Sequence, residues 1–303
     1  MDHRSTIQCP FCARTDTRFW FEYNSAADQR TYPLFACADC GSSFVFPRPP
    51  ASYLAEFYAG APQTQREGNE EAIYAGILQE EVEFPNSTVD ADRIARLAHE
   101  IGGGGRLLDI GAGFGFFSRA ARQSGFAVTA LEINDASRRI FRRMNQFDAM
   151  PMLLDADMAL EHAGEFDTVL LSQVLEHIPD VDDAIQQIRT LLRPGGLCVI
   201  AVPHFGSWLS RIQGKRDMFI CPPEHLNFFS IDGMQRLFSR HGFQCRLLHT
   251  VSRLDSRKVR NRIGVPLAGA AFVPALNAGM RGLDRMNLGM FINAYFVAPA
   301  TLH

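Results

Sequence analysis

Lysine is nearly missing from this chain. Of 303 residues only Lys215 and Lys258 are lysines, so arginine carries almost all of the positive charge. The formal net charge is −3 and the isoelectric point about 6.3. A protein that grips a phosphate backbone needs a basic footprint, and the chain as a whole has none, so nucleic acid is not an expected partner. The first ten residues, MDHRSTIQCP, lack the apolar core of a secretory leader, which predicts a cytoplasmic protein. A strongly apolar run of roughly 20 residues, the length of a membrane-spanning helix, is also absent. The nearest approach, IGVPLAGAAFVPALNAGM (263–280), carries no charge over 18 residues. Pro266, Pro274, Asn277 and three glycines interrupt it, so it reads as a packed cap with no stable membrane insertion. What remains is 47% hydrophobic and 21% charged, a globular balance that excludes extended disorder.

In a reducing compartment seven cysteines do not predict a disulfide framework. Four of them fall in a pattern. Cys9-Pro-Phe-Cys12 is followed 24 residues later by Cys37-Ala-Asp-Cys40-Gly41. Two C-x2-C knuckles offer four thiolates to a tetrahedral ion, with Gly41 suited to the turn. Between them TRFWFEY (17–23) alternates like a strand, and SSFVFPRPP (42–50) reads as a short strand stopped by prolines. Residues 1–50 therefore predict a zinc ribbon whose ligands are Cys9, Cys12, Cys37 and Cys40. Four sulfurs leave no open position, so the zinc is expected to be structural. Cys198, Cys221 and Cys245 stand alone among apolar neighbours and are expected in the core. Residues 51–84 form a helical linker that includes SYLAEFYA (52–59). The main domain, 85–303, opens with STVDADRIARLAHEIGGGG (87–105), where Ser87 and Asp90 fit a capping box and four glycines end the helix.

The most informative stretch is RLLDIGAGFGFFSRAARQSGFAVTALEIN (106–134): strand, glycine turn, helix, strand. Glycines at 111, 113 and 115 let a ligand approach the backbone, and Glu132 ends the second strand where it can accept both hydroxyls of a ribose. A dinucleotide site would place a small residue at the sixth position of its glycine pattern. Here that position is Phe116, and the pattern is D-I-G-x-G-x-G led by Asp109. A helix (DASRRIFRRM, 135–144) follows, with Arg138, Arg139, Arg142 and Arg143 as a solvated stripe, and then LLDAD (153–157). EFDTVLLSQVLEHIPDVDDAIQQIRTLLRPGGLCVIAVPH (165–204) reads as strand, turn, helix, turn, strand. Ser230 caps a further helix, and CRLLHTV (245–251) and FINAYFVA (291–298) supply the last strands.

Taken together, over roughly residues 85–298, these motifs resemble the class I S-adenosylmethionine-dependent methyltransferases. The resemblance implies an α/β, Rossmann-like, seven-stranded, mostly parallel sheet with an antiparallel last strand, preceded by the ribbon. It implies S-adenosylmethionine as cofactor and S-adenosylhomocysteine as product. On the same ground the cofactor residues are Asp109, Gly111, Ala112, Gly113, Gly115, Phe116, Glu132, Ile133, Ser172 and Gln173, with Asp155 and Asp157 near the adenine amino group. The four-Cys ribbon, "LEHIPD" and "PPEHLNFFS" together are similar to a bacterial branch. It includes ubiquinone-type O-methyltransferases and zinc-containing sugar C-methyltransferases. The latter carry a large additional carboxyl-terminal domain that this chain lacks, so a small-molecule hydroxyl is the expected acceptor and a nucleotide-sugar carbon the alternative. In the ubiquinone-type enzymes a Glu three residues before the Glu-His pair helps hold a divalent cation. Here it is Gln173, so no catalytic cation is expected at Gln173, Glu176 and His177, and His177 is expected to shape the cofactor wall.

Residues 221–229, CPPEHLNFF, place Glu224 and His225 on a stiff turn beside apolar surface. By the family topology this segment lies at the cofactor end of the sheet. Histidine suits proton removal at physiological pH. The expectation is His225 as general base, Glu224 as its orienting partner or a hydroxyl ligand, and His204 in reserve. The competing reading makes His225 a loop anchor, held by backbone hydrogen bonds. The long segment 252–288 is expected to be a cap or lid. It opens with SRLDSRKVRNR, whose Arg257 and Arg260 would either face solvent or meet an anionic acceptor. RNA methylation and a non-catalytic zinc- and S-adenosylmethionine-binding interaction module are the other functions weighed, and a homodimer is left open.

Overall fold

A computed structural model describes residues 7–59, 70–83, 86–252 and 272–300. The amino-terminal aromatic strands form an antiparallel meander of β1 (Thr17–Asn24), β2 (Thr31–Cys37) and β3 (Ser43–Val45). Three helices follow, α1 (Ala51–Ala59), α2 (Glu70–Glu83) and α3 (Asn86–Glu100). The βαβ unit is β4 (Arg106–Ile110), α4 (Phe116–Gln123) and β5 (Ala127–Leu131). Next come α5 (Asp135–Asn145), α6 (Ala156–Glu161), β6 (Phe166–Ser172), α7 (Val181–Leu191) and β7 (Leu192–Pro203). The chain closes with α8 (Trp208–Gln213), β8 (Asn227–Phe228), α9 (Ile231–Arg240), β9 (Gln244–Val251), α10 (Phe272–Arg285) and β10 (Phe291–Val297).

The main sheet runs β5-β4-β6-β7-β10-β9, with β4 to β7 parallel and β10 antiparallel to both of its neighbours. Its strands are apolar on both faces because helices cover both. On one face Ala91, Ile94, Ala95 and Ala98 of α3 pack with Ala120 and Ala121 of α4 against Leu107 and Leu170. On the other, Ile185 and Ile188 of α7 and Leu237 and Phe238 of α9 pack against Leu108, Val169 and Ile200. Six strands take part among the described residues. At the seventh position, beyond β5, the structure has a single bridge, Leu131↔Met150. Pro151 follows directly and has no N–H to extend a ladder.

Two features depart from the sequence reading. The arginines of α5 are not simply solvated: Arg139 pairs with Glu70 at 3.1 Å and Arg143 with Glu71 at 2.8 Å. The Arg143 guanidinium also lies 3.9 Å over the Tyr74 ring. Beneath these pairs Ile73 and Ile77 meet Ile140, Phe114 and Phe116, so α2 is docked on α5 beside the glycine turn. The second departure concerns the ribbon sheet, which has a fourth strand from far along the chain. β8, part of "EHLNFF", pairs antiparallel to β3 with Ser43↔Phe228 and Phe44↔Asn227. The Val45 N–H donates to the Leu226 carbonyl at 3.0 Å. Arg48 donates to the same carbonyl at 2.7 Å and to Asn227 Oδ1 at 2.6 Å. Ser230 Oγ donates to the Cys40 carbonyl at 2.5 Å, and the Phe11 and Phe229 rings meet edge-on at 4.9 Å. The loop holding Glu224 and His225 is thereby sewn into the cysteine module. No described helix is long and apolar enough to cross a membrane. The segment 253–271, including Arg257 and Arg260, lies outside the described residues.

Candidate active site and cysteine centre

At the carboxyl ends of β4, β5 and β6 a cleft of about 380 Å³ opens, lined at one end by Gly111, Glu132, Ile133 and Leu154. Of the glycine turn, Gly111 lines it. Ala112 N–H donates to the Leu131 carbonyl at 2.9 Å, tying the turn to β5. Gly111 has φ +67°, and a Cβ there would lie 2.6 Å from a methyl of Val174. Glu132 is buried, with 6% of its surface exposed. One carboxylate oxygen accepts the Gly113 N–H at 2.8 Å and the other the Asn134 N–H at 2.7 Å. Arg138 donates to the carbonyls of Glu132 and Ile133 at 3.0 and 2.6 Å. The acid that ends β5 is therefore held in place before any ligand arrives. Burial pushes its pKa up, against the pull of those N–H donors and Arg138.

Asp109, behind the turn, is almost fully enclosed and accepts the Ser118 hydroxyl at 2.6 Å. Burial pushes its pKa up to about 7, with the Glu132 charge adding to the rise and Ser118 opposing it. An acid whose folded pKa is raised stabilises the fold fully only below its ordinary value near 3.9, and that stability is lost as pH rises to the folded value. The cofactor-free protein should therefore lose stability between about pH 4 and 7 through Asp109. Asp109→Asn should flatten that slope in urea titrations at pH 5 and 8. Parallel slopes in variant and wild type would show that Asp109 is not the group responsible.

Other expected cofactor residues are dispersed. Gln173, with φ +57°, lines the cleft. Ser172 sits at the end of β6, paired with Ala201. Phe116 turns away into the cluster under α2. Asp155 is exposed and caps α6 by accepting the Met158 N–H at 2.8 Å, and Asp157 is exposed in the first turn of that helix. Apolar Met152, Leu153 and Leu154 take the cleft wall that those aspartates were expected to reach.

Helix α1 also lines the cleft, with Leu54, Ala55 and Tyr58, which the sequence did not anticipate, and His177 lines it as expected. His177 Nδ1 donates to the Glu224 carbonyl at 2.6 Å, which also receives the Tyr58 hydroxyl at 2.6 Å. The His225 ring lies 4.9 Å from that of His177, and its Nδ1 donates to the Phe219 carbonyl at 2.8 Å. Burial, with His177 beside it, pushes the His225 pKa down to about 3. Glu176 is 1% exposed, and neither carboxyl oxygen has a hydrogen-bond partner among the described residues. Burial pushes its pKa up to about 8. Asn227 holds the turn that carries Glu176 and His177, donating to the carbonyls of Leu175 and Ile178 at 3.2 and 2.7 Å. His204 is buried, donates Nδ1 to the Gly289 carbonyl at 2.8 Å, and lines, together with His225, a small cavity distinct from the cleft. Tyr58 carried no sequence signal beyond its place in a short helix.

In the ribbon all four cysteines are buried and their sulfurs lie within 4.8 Å of one another. Cys9 and Cys40 sulfurs are 3.7 Å apart, Cys12 and Cys37 3.6 Å. A tetrahedron with metal–sulfur legs of about 2.3 Å has edges of about 3.8 Å, so the cage fits a four-thiolate ion. Cys198 is in the core as expected, but Cys245 is exposed and Cys221 half-buried.

A doubly wound sheet with antiparallel β10, an Asp109-led glycine turn that has Phe116 at its sixth position, and an acid ending the next strand are together the arrangement of an S-adenosylmethionine-dependent methyltransferase. The family model described as "Methyltransferase domain" matches residues 80–248, and the chain belongs to that family. A ubiquinone biosynthesis O-methyltransferase of Bordetella avium is 33% identical over 100 residues, covering 31% of this chain and 40% of that protein. The chain thus spans less than half of that relative's length. Among solved structures, a SAM-dependent methyltransferase from Archaeoglobus fulgidus superposes with a TM-score of 0.50 at 18% identity, over 73% of this chain and 98% of that one. Phosphoethanolamine N-methyltransferase 2 of Haemonchus contortus gives 0.51 at 18% identity, over 93% and 68%. These two likenesses establish the fold.

Proposed function

We propose that this enzyme methylates a hydroxyl oxygen of a small molecule bound at the Tyr58–His177 end of the cleft, and that Cys9, Cys12, Cys37 and Cys40 hold a structural zinc. The observation that carries the reading is continuity: one cleft runs from Gly111 and Glu132 to Tyr58 and His177. With the cofactor on Glu132 and the glycine turn, the acceptor has room beyond it, under α1. In the transfer the sulfonium–methyl bond breaks, an oxygen–methyl bond forms, and the sulfur leaves as a neutral thioether. The enzyme's part is to hold the acceptor oxygen in line and exclude water. The hydroxyl also loses its proton. A lone imidazole with a pKa near 3 is a weak general base, so His225 acts here as one member of the Glu176–His177–His225 cluster rather than alone. Similarity to ubiquinone biosynthesis O-methyltransferases supports oxygen as the methylated atom.

The test is transfer of labelled methyl from S-adenosylmethionine into fractionated bacterial metabolites, wild type beside His177→Gln. Glutamine can still donate to the Glu224 carbonyl, so the loop keeps its anchor. Label should appear as an O-methyl product and fall about 100-fold in the variant, with S-adenosylhomocysteine affinity unchanged. Label on carbon would replace the hydroxyl acceptor, and label in RNA would replace the small molecule. No label in any fraction would leave a binding module.

A further inference from the structure

The turn after β6 is held from outside by Leu226 and Asn227, where β8 begins. The Glu176 carbonyl accepts the Leu226 N–H at 2.8 Å and the Asn227 N–H at 3.1 Å. The Asn227 side-chain NH2 donates to the Leu175 and Ile178 carbonyls at 3.2 and 2.7 Å. Two amides thus meet the turn nitrogen-first, the Leu226–Asn227 peptide and the Asn227 carboxamide. The oxygens of both go to one side chain. Arg48 donates Nη1 to the Leu226 carbonyl at 2.7 Å and Nη2 to Asn227 Oδ1 at 2.6 Å. With Oδ1 so committed, the reverse orientation of the carboxamide would set NH2 against the guanidinium and oxygen against two carbonyls.

We infer that Arg48, supplied by the ribbon, is a positioning residue for Glu176 and His177, acting through those two amides. A cation on an amide oxygen polarises the amide and strengthens its N–H as a donor, and such chains reinforce one another in a low-dielectric interior. Arg48 does this to both amides at once, because the two arms of a guanidinium are fixed in one plane. It is presented from a stiff segment, between Pro47 and Pro49. Burial pushes its pKa down to about 10, with the charges of Asp180 and Cys9 opposing, so it stays charged at neutral pH. An apolar side chain of the same length would seal this junction without the cost of burying a cation, so the charge has a task beyond packing. His177 is what the turn delivers. It lines the cleft, and its Nδ1 reaches the Glu224 carbonyl while the turn stays docked on the segment that continues from Glu224 into β8. The bearing on methyl transfer rests on the proposed reading of that end of the cleft as the acceptor side; the bond network does not.

The experiment uses full-length protein of measured zinc content, labelled with 15N-histidine, as wild type, Arg48→Ala and Asn227→Asp. Long-range 1H–15N correlation at neutral pH reports the tautomer of each imidazole, and His177→Gln assigns the His177 signals. Wild type should show His177 locked as the Nδ1–H tautomer. Both variants should lose that lock and lower methyl transfer at least about 10-fold, with zinc content and S-adenosylhomocysteine affinity unchanged. Asn227→Asp keeps an acceptor for Arg48 but has no side-chain N–H for the turn, so it separates the relay from the packing. Guanidinium ion added to Arg48→Ala should restore part of the loss by filling the vacated site; no restoration would assign Arg48 to packing and overturn the inference. A folded variant that keeps the wild-type His177 spectrum would overturn it too, as would a changed spectrum with unchanged transfer. If Arg48→Ala does not fold, Asn227→Asp decides. Wild type that transfers no label would remove the proposed function alone and leave the spectra to decide the network.

Discussion

Removing the proposed zinc from the cysteine centre should abolish methyl transfer while cofactor affinity changes only a few-fold. The reason lies in how the ribbon is joined to the catalytic domain. β8 is a strand of the ribbon sheet, yet it continues directly from Glu224 and His225. Its Asn227 side chain holds the turn bearing Glu176 and His177. Ser230, one residue beyond the Phe229 that packs on Phe11, donates to the carbonyl of Cys40, one of the four proposed zinc ligands. Collapse of the knuckle therefore releases the loop from one end and the 175–178 turn with it. Glu132, Gly113 and Asp109 are held by β4, α4, β5 and the 133–134 turn, none of which pairs with the ribbon. Ion binding in small four-ligand modules is worth roughly 10–16 kcal/mol of folding free energy, so little of the ribbon should survive its loss. The measurement uses a Cys37→Ser, Cys40→Ser double variant. It should lose about one zinc per chain and turnover by at least about 100-fold, while still binding S-adenosylhomocysteine. Full activity in a zinc-free protein would reject both the zinc assignment and the coupling. Equal loss of cofactor binding would reject the coupling through the loop, because the ribbon's cysteines share one apolar cluster with β4 and β6 and the domain would be failing as a whole.

How far the sequence led depends on whether a feature is local. The βαβ unit, the glycine turn and the two knuckles are short-range patterns, and the residues found lining the cleft, Gly111, Glu132 and Ile133, were legible for that reason. The four cysteines were legible because C-x2-C geometry is set within one turn. The seventh strand was not, because family topology predicted a ladder where Pro151 permits only one bridge. Asp155 and Asp157 are not among the residues that line the cleft; a carboxylate before a helix is also a cap, and Asp155 is used that way. The tie between β3 and β8 joins residues 183 positions apart (Phe44↔Asn227), and no periodicity records such a pairing. For the same reason Glu224–His225 invited reading as an isolated catalytic pair. In three dimensions the Glu224 backbone carbonyl anchors His177, and the Phe219 carbonyl anchors His225, with the His177 ring and Glu176 beside it.

Glu132→Gln should weaken S-adenosylhomocysteine binding about 100-fold, close to 2.7 kcal/mol, without unfolding the protein. In the wild type one carboxylate oxygen accepts the Gly113 N–H and the other the Asn134 N–H, so both orient the turn on either side of the cleft. Each oxygen keeps a further lone pair with which to accept a ribose hydroxyl, and hydrogen bonds to an ionised acceptor are the strong ones. Glutamine replaces one acceptor by an NH2 group, which sets donor against donor at Gly113 or at Asn134 whichever way the amide is turned. It also removes the negative charge. The fold should tolerate this, because a neutral amide of the same shape relieves the cost of burying a carboxylate, the cause of the raised Glu132 pKa. The informative pair of measurements is calorimetric titration with S-adenosylhomocysteine and a thermal melt of the cofactor-free variant. Affinity within about twofold of wild type would mean that the cofactor ribose lies elsewhere. Lost affinity with a greatly lowered melting point would mean that Glu132 holds the glycine turn together rather than the ligand. Lost affinity with an intact melt is the result the geometry predicts, because Arg138, Asn134 and the Ala112–Leu131 bond keep the turn closed around the substituted side chain.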